Sequence, residues 1–157
     1  MKKSSESRSV LSQIMLPSQA NPNGAVHGGE IMKLMDNCGG VAAMRHAKTN
    51  VVTVRVDEMI FHQPIKVGQL VICEGQLVFV GKTSMEVKVS VKVEDLMSEV
   101  PAKVALTAFF TYVAVDQEGI PCPVTGLLVE TEEERETFEN GRQRYLEHKR
   151  KRQECLC

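Results

Sequence analysis

The sequence predicts an α+β fold: a curled antiparallel sheet of about five strands wrapped around one long central helix, with a second helix after the sheet. Three observations predict it. Residues Gly28–His46 carry Ile31, Met32, Leu34, Met35, Cys38, Val41, Ala42 and Met44 and have almost no polar face; a helix apolar nearly all round is a buried one. Met85, Val87, Val89, Val91 and Val93 alternate with Glu86, Lys88, Ser90, Lys92 and Glu94, the pattern of a strand with one buried and one wet face. The strand-like runs are joined mainly by short turns, and hairpin-joined strands pair antiparallel. One sheet with one apolar face and one such helix satisfy each other only when the sheet curls around the helix.

The elements follow in order. Met1–Ser9 is polar and expected to fray. Val10–Met15 alternates and stops at Leu16-Pro17, as an edge strand does. Asn21-Pro22-Asn23-Gly24 is a loop, and the helix that follows would be roughly 28 Å long at 1.5 Å per residue. Gly39, Gly40, Ala42 and Ala43 would let strands come close to it. Val51–Phe61 is β-branched and reads as a strand that stops near Pro64. Leu70–Val80, Met85–Glu94 and Ala102–Val115 are the next three strands, with turns at Gly81–Ser84 and Asp116–Gly119 and a loop at Asp95–Pro101. In the last strand Val104, Leu106, Ala108, Phe110 and Tyr112 share the expected core face. Thr131 with Glu134 forms a capping box that opens the tail helix. Acidic residues stand at its start and basic ones at its end, in line with the helix dipole. The reading gives a main domain over 8–124 and a helical extension with a basic end over 125–157.

Composition narrows the function. The 157 residues suit one domain with a real core. A net charge of −1 provides no global field for nucleic acid. No apolar stretch follows the polar start, so no secretory signal is expected. Glu30, Lys33, Asp36 and Arg45 interrupt the long helix, so it is no membrane span. Cys38, Cys73, Cys122, Cys155 and Cys157 are odd in number and lack disulfide or zinc spacing, and reduced thiols in a cytoplasm are the default. His27, His46, His62 and His148 show no ligand spacing either, and no metal is expected.

Two features of the helix exceed a structural role. Asp36 sits in the middle of the apolar run, where a carboxylate must be paired, hydrogen-bonded or shifted in its titration. The entry, His27-Gly28-Gly29, lacks the usual Ser, Thr, Asp or Asn cap. Its first N–H groups could therefore take an oxygen from a ligand. Each feature alone is more often a glycine-tolerant turn or a satisfied core acid. Likewise Met59, Phe61, His62 and Phe79 read as sheet core or subunit contacts rather than specificity residues.

These residues carry a resemblance. Asn21–Asp36, with His27-Gly28-Gly29 ahead of Asp36, resembles the hotdog-fold acyl-CoA thioesterases, in particular the broad-range bacterial acyl-CoA hydrolases and the cytosolic long-chain hydrolases of animals. Lys33–Asp36, Arg45–Asn50, Phe61-His62, Ala108–Val113 and Arg144-Tyr145-Leu146 extend the likeness from about Val10 into the tail. The resemblance implies hydrolysis of acyl-CoA thioesters to a free acid and CoA in the cytoplasm, with no cofactor beyond the CoA of the substrate. It implies a homodimer as the minimal active unit and a hexamer built as a trimer of dimers, without nucleic acid or membrane partners. It makes Asp36 the catalytic carboxylate and Asn21 the amide that positions thioester or water. Gly28 becomes the backbone N–H that polarises the carbonyl, with His27 and Gly29 helping to position substrate. Gly81, Lys82, Thr83, Ser84, Arg142 and Arg144 become the CoA contacts.

The chemistry needs these groups. A backbone N–H at a helix start stabilises the tetrahedral oxyanion by roughly 3 kcal/mol. Asp36 can act as general base on water or attack the carbonyl itself to form an anhydride. Gly28 and Asp36 lie about 12 Å apart along one helix, too far to touch one carbonyl. One site would therefore draw Gly28 and Asn21 from one subunit and Asp36 from its twofold mate. Two other functions would leave different marks. A hydroxyacyl-thioester dehydratase would use a His–acid pair and produce an enoyl absorbance rather than a free thiol. A non-catalytic acyl-CoA sensor would lack the acid and carry an output module.

Overall fold

The computed structural model describes residues 1–156; Cys157 lies outside them. The elements are β1 (Lys2–Lys3), β2 (Ser9–Ile14), α1 (Gly28–Ala47), β3 (Asn50–Val56), β4 (Leu70–Val80), β5 (Ser84–Glu94), β6 (Lys103–Val115), β7 (Leu127–Leu128) and α2 (Glu132–Cys155). Five strands form an antiparallel sheet in the order β2-β4-β5-β6-β3. It curls over α1, and Val71, Cys73, Leu77, Met85, Val87, Val89, Val91, Leu106, Phe110 and Tyr112 meet Ile31, Met35, Cys38 and Ala42 in one core. The predicted α+β wrap is the fold observed.

Four details differ from the reading of the sequence. The sheet is not a simple run of neighbours, because β3 pairs with β6 and not with β4. Residues 57–69 carry the chain across to the far side and end in the tight turn at Val67-Gly68, where Gln69 N–H donates to the Lys66 carbonyl at 3.2 Å. The strand expected to reach Phe61 therefore ends at Val56. Val104 faces out, 54% exposed, because Val91 pairs with Leu106 and Lys92 with Val104, so that Ala105 bulges and turns inward. The start of the chain is not frayed either. β1 pairs parallel with β7, and Ser4, Ser7 and Ser9 are buried. Ser4 donates to the Leu77 carbonyl and Ser9 to that of Cys38, which offsets the cost of burying them.

α1 is covered on one side only. Ile31, Met35, Cys38, Ala42, Ala43 and His46 are buried, whereas Met32 and Met44 are 45% and 42% exposed. A five-stranded half-barrel cannot close around a whole helix, so the apolar far side stays open in the single chain.

α2 lies on the outer face of the sheet. The Phe79 ring packs on Phe138 and Tyr145, with centroids 5.0 Å and 5.4 Å apart. A bulge between Leu77 and Phe79 turns Phe79 outward beside Glu86. The face expected to be wet is thus dry at Glu86, which is 3% exposed. Gly141 is the contact point: a Cβ there would fall 2.6 Å from that of Phe79.

His46 closes the core at the end of α1. Its Nε2–H donates to the Thr125 carbonyl at 2.8 Å, and Nδ1 is buried without a partner among the described residues. Burial holds the imidazole below its usual range, against the pull of that carbonyl. The unfolded chain therefore binds more protons at this residue. The stability it contributes is present above the unfolded value of about 6.5 and lost as pH falls through and below it. The melting temperature is expected to drop by a few degrees between about pH 6.5 and pH 5. In His46→Gln, which keeps the donor and cannot titrate, that part of the drop should vanish.

Candidate active site

Asp36 occupies the third turn of α1, half-buried, and among the described residues it forms no ion pair. Its Oδ1 accepts the Thr53 hydroxyl of β3 at 2.7 Å and the Tyr112 hydroxyl of β6 at 3.0 Å. Tyr112 also reaches the Asp36 carbonyl at 3.0 Å. Oδ2 has no donor among the described residues. Burial first, then the Asp36 charge, push the Tyr112 phenol far up, so it remains a neutral donor. A carboxylate with one oxygen tied and one open can take a proton from water or attack a carbonyl carbon.

At the helix start the expectation of an uncapped end is corrected. His27 is the cap, and its Nδ1 accepts the Gly29 N–H at 3.0 Å. Glu30 N–H returns to the His27 carbonyl at 2.9 Å. Among the described residues the Gly28 N–H is left without an acceptor. The two amides expected here thus separate into one that fixes the turn and one that is open. An imidazole acceptor is outside the usual capping set, which is why the sequence did not reveal it.

Asn21 builds the loop ahead of the helix. Its Oδ1 accepts from Asn23 N–H at 2.9 Å and Ala25 N–H at 3.2 Å, as Asn does in turns. That leaves the Nδ2 hydrogens to donate elsewhere. Beside Gly28 lies an apolar cavity of about 340 Å³ walled by Val26, Ile31, Phe61, Pro64 and Ile65. Phe61 and His62 therefore line this cavity instead of belonging to the sheet core.

A second cavity of about 420 Å³ opens between α2 and the sheet. Thr83 and Ser84 line it, as do Arg55, Lys149 and Arg152. The Gly81–Ser84 turn is closed by a Gly81 N–H to Ser84 carbonyl bond at 2.8 Å, and Lys82 is exposed at its tip. The structure divides the expected cations differently. Arg142 is held by Glu139 on its own helix. Arg144 is held by Glu86 through Nε at 3.0 Å and lies 3.9 Å over the Phe109 ring. Lys149 and Arg152 make no ion pair among the described residues. Sequence reasoning missed Thr53, Arg55 and His148; the last faces Asp57 at 3.3 Å.

Among the described residues no group of three or more His, Cys, Asp or Glu is gathered as a metal ion requires, and no helix is long and apolar enough to cross a membrane.

Known proteins share the sequence pattern and the fold. Residues 23–100 match the thioesterase superfamily. The chain is 43% identical over 112 residues to an uncharacterised acyl-CoA thioester hydrolase of Haemophilus influenzae, covering 70% of this chain and 73% of that one. It is 44% identical over 150 residues to the cytosolic acyl coenzyme A thioester hydrolase of Rattus norvegicus, covering 95% of this chain. It spans about two fifths (39%) of that relative's length. Among solved structures, the acyl-CoA hydrolase of Staphylococcus aureus, in complex with butyryl coenzyme A and coenzyme A, superposes with a TM-score of 0.88 at 30% identity, covering 99% of this chain and 95% of that one. That hydrolase has also been solved with a single Asn, Asp or Thr replaced by Ala. A structure described as an apo-hexameric acyl-CoA thioesterase superposes with a TM-score of 0.88 at 32% identity over 96% of this chain and 97% of that one. The chain belongs to the acyl-CoA thioester hydrolases of the thioesterase superfamily.

Proposed function

We propose that this chain hydrolyses acyl-CoA thioesters to a free carboxylic acid and CoA. One observation carries the reading: among the described residues Asp36 holds one oxygen in hydrogen bonds and keeps the other open, on the same helix whose Gly28 N–H has no acceptor there and lies beside an apolar cavity. The replaced Asn, Asp and Thr of the staphylococcal hydrolase stand fifteen and seventeen residues apart, the spacing of Asn21, Asp36 and Thr53 here.

The residues divide the work. Gly28 N–H and the Asn21 amide donate to the thioester oxygen and stabilise the charge it gains. Asp36 Oδ2 removes a proton from the attacking water, or attacks the carbonyl carbon itself to form an anhydride. On either route the C–S bond breaks and the CoA sulfur leaves as thiolate, which is protonated to the free thiol. Water then hydrolyses the anhydride of the second route to the free acid, restoring the carboxylate. His27 holds the Gly29 amide in the turn that presents Gly28. The acyl chain enters the cavity of Val26, Ile31 and Phe61. Because Gly28 and Asp36 are separated along one helix, each site takes Asp36 from one subunit of a homodimer and the Gly28 side from the other. Met32 and Met44 on the open side of α1 provide apolar surface for such pairing. Three dimers form the hexamer, and the enzyme works in the cytoplasm. A thiol-detecting assay over a series of acyl-CoA chain lengths tests the activity; no thiol release with any of them rejects it.

The phosphates of CoA belong in the cavity under α2, where Thr83, Ser84, Lys149 and Arg152 meet. Arg142 and Arg144, already engaged by carboxylates, contribute less. Lys149→Glu with Arg152→Glu is expected to raise KM for acyl-CoA at least tenfold, with kcat little changed, since charge-assisted contacts to phosphate are strong. An acyl-pantetheine thioester, which lacks the nucleotide, should be hydrolysed as well by the variant as by the wild type.

A further inference from the structure

We infer that Tyr112 is a positioning residue for this reaction, holding Asp36 Oδ1 from inside the core so that Oδ2 is the oxygen presented to water or to the thioester carbon. The inference rests on Asp36 being the reacting carboxylate.

A carboxylate on a helix can turn about its last bond and exchange its two oxygens. Here two hydroxyls converge on one of them, Thr53 at 2.7 Å and Tyr112 at 3.0 Å. Tyr112 shares its proton with the carbonyl of the same Asp36, also at 3.0 Å. The side chain of Asp36 is thus referred back to its own backbone through a rigid ring. Tyr112 is 1% exposed and stacks on Phe110 with ring centroids 6.3 Å apart, so the hydroxyl has little freedom to follow the acid if it turns. The helix yields to this contact. A Cβ on Gly39 would sit well inside contact distance of the Tyr112 hydroxyl, so residue 39 must be glycine for the hydroxyl to reach across α1. A tyrosine serving only as core filling would need neither the gap at Gly39 nor a donor aimed at a carboxylate; Phe would fill the same volume.

The test compares Tyr112→Phe and Gly39→Ala with wild type and Asp36→Ala, using the thiol-release assay and thermal melts. Tyr112→Phe is expected to lower kcat about tenfold, as loss of a hydrogen bond to a charged group does, with KM within twofold. Gly39→Ala, which keeps the phenol but displaces it, should lower kcat to a similar degree with KM likewise unmoved. If either folded variant retains kcat within twofold of wild type while Asp36→Ala is inactive, the role of Tyr112 is overturned. A change in KM alone also overturns it, since that would mean the ring shapes the pocket. If Asp36→Ala itself remains active, the fault lies in the assignment of the acid and not in Tyr112 alone.

Discussion

Asp36→Ala should lower acyl-CoA hydrolysis about a thousandfold, within the range lost when a general base or nucleophile is removed. Circular dichroism should show an intact fold, because among the described residues the half-buried carboxylate makes no ion pair, and its two donors, Thr53 and Tyr112, can turn to water or to the Asp36 carbonyl. The informative form of the experiment is a mixture. Asn21→Ala should also be poorly active alone. If each site joins Asn21 and Gly28 of one subunit to Asp36 of the other, a mixed dimer of the two variants has one intact site. Random exchange at equal amounts then restores about a quarter of wild-type activity, half the dimers being mixed and half their sites intact. No recovery despite demonstrated subunit exchange would refute shared sites. Asn21→Ala has a structural cost as well, because the loop amides of Asn23 and Ala25 lose their acceptor.

Arg144→Ala is the second large effect, and it is one on stability. Glu86 is 3% exposed, and burial pushes its carboxyl up while the Arg144 guanidinium pulls it part of the way back. Removing Arg144 leaves a buried acid without its partner, a loss of about 3 kcal/mol. That corresponds to roughly 10 °C in melting temperature for a chain of this size. Part of the loss comes from the stacking over Phe109. Replacing the pair together by Glu86→Leu and Arg144→Leu should recover most of the stability, since an apolar pair of similar volume has no charge to desolvate. A folded Arg144→Ala enzyme assayed at low temperature should keep a KM near wild type. A large rise in KM there would return Arg144 to the CoA site.

The sequence and the structure agree where one physical rule dominates. β5 was legible because alternation is strict over its whole length, and α2 because Thr131 and Glu134 close a local capping box. Agreement fails where a distant partner decides. Nothing near Glu86 in the chain announces that α2 will cover it. Nothing near Val51 says that β3 will cross over to β6. Buried Ser4 and Ser9 of the N-terminal segment read as part of a polar tail, since their acceptors, the Leu77 and Cys38 carbonyls, lie far along the chain. In the site, Asp36 stood out because a charge in an apolar run is conspicuous. Thr53 did not, because threonine in a strand is ordinary; only the fold brings it to 2.7 Å from Asp36.

The two supports of Asp36 differ in stiffness. Tyr112 belongs to β6, which has strand neighbours on both sides, whereas Thr53 belongs to the outermost strand, β3, whose second backbone edge has no neighbour among the described residues. Val52 and Val54 flank it with half their surface open. One bracket is therefore braced and the other compliant, and whatever covers β3 stiffens the compliant one. Subunit association would then tune the alignment of the acid as well as complete the site around it.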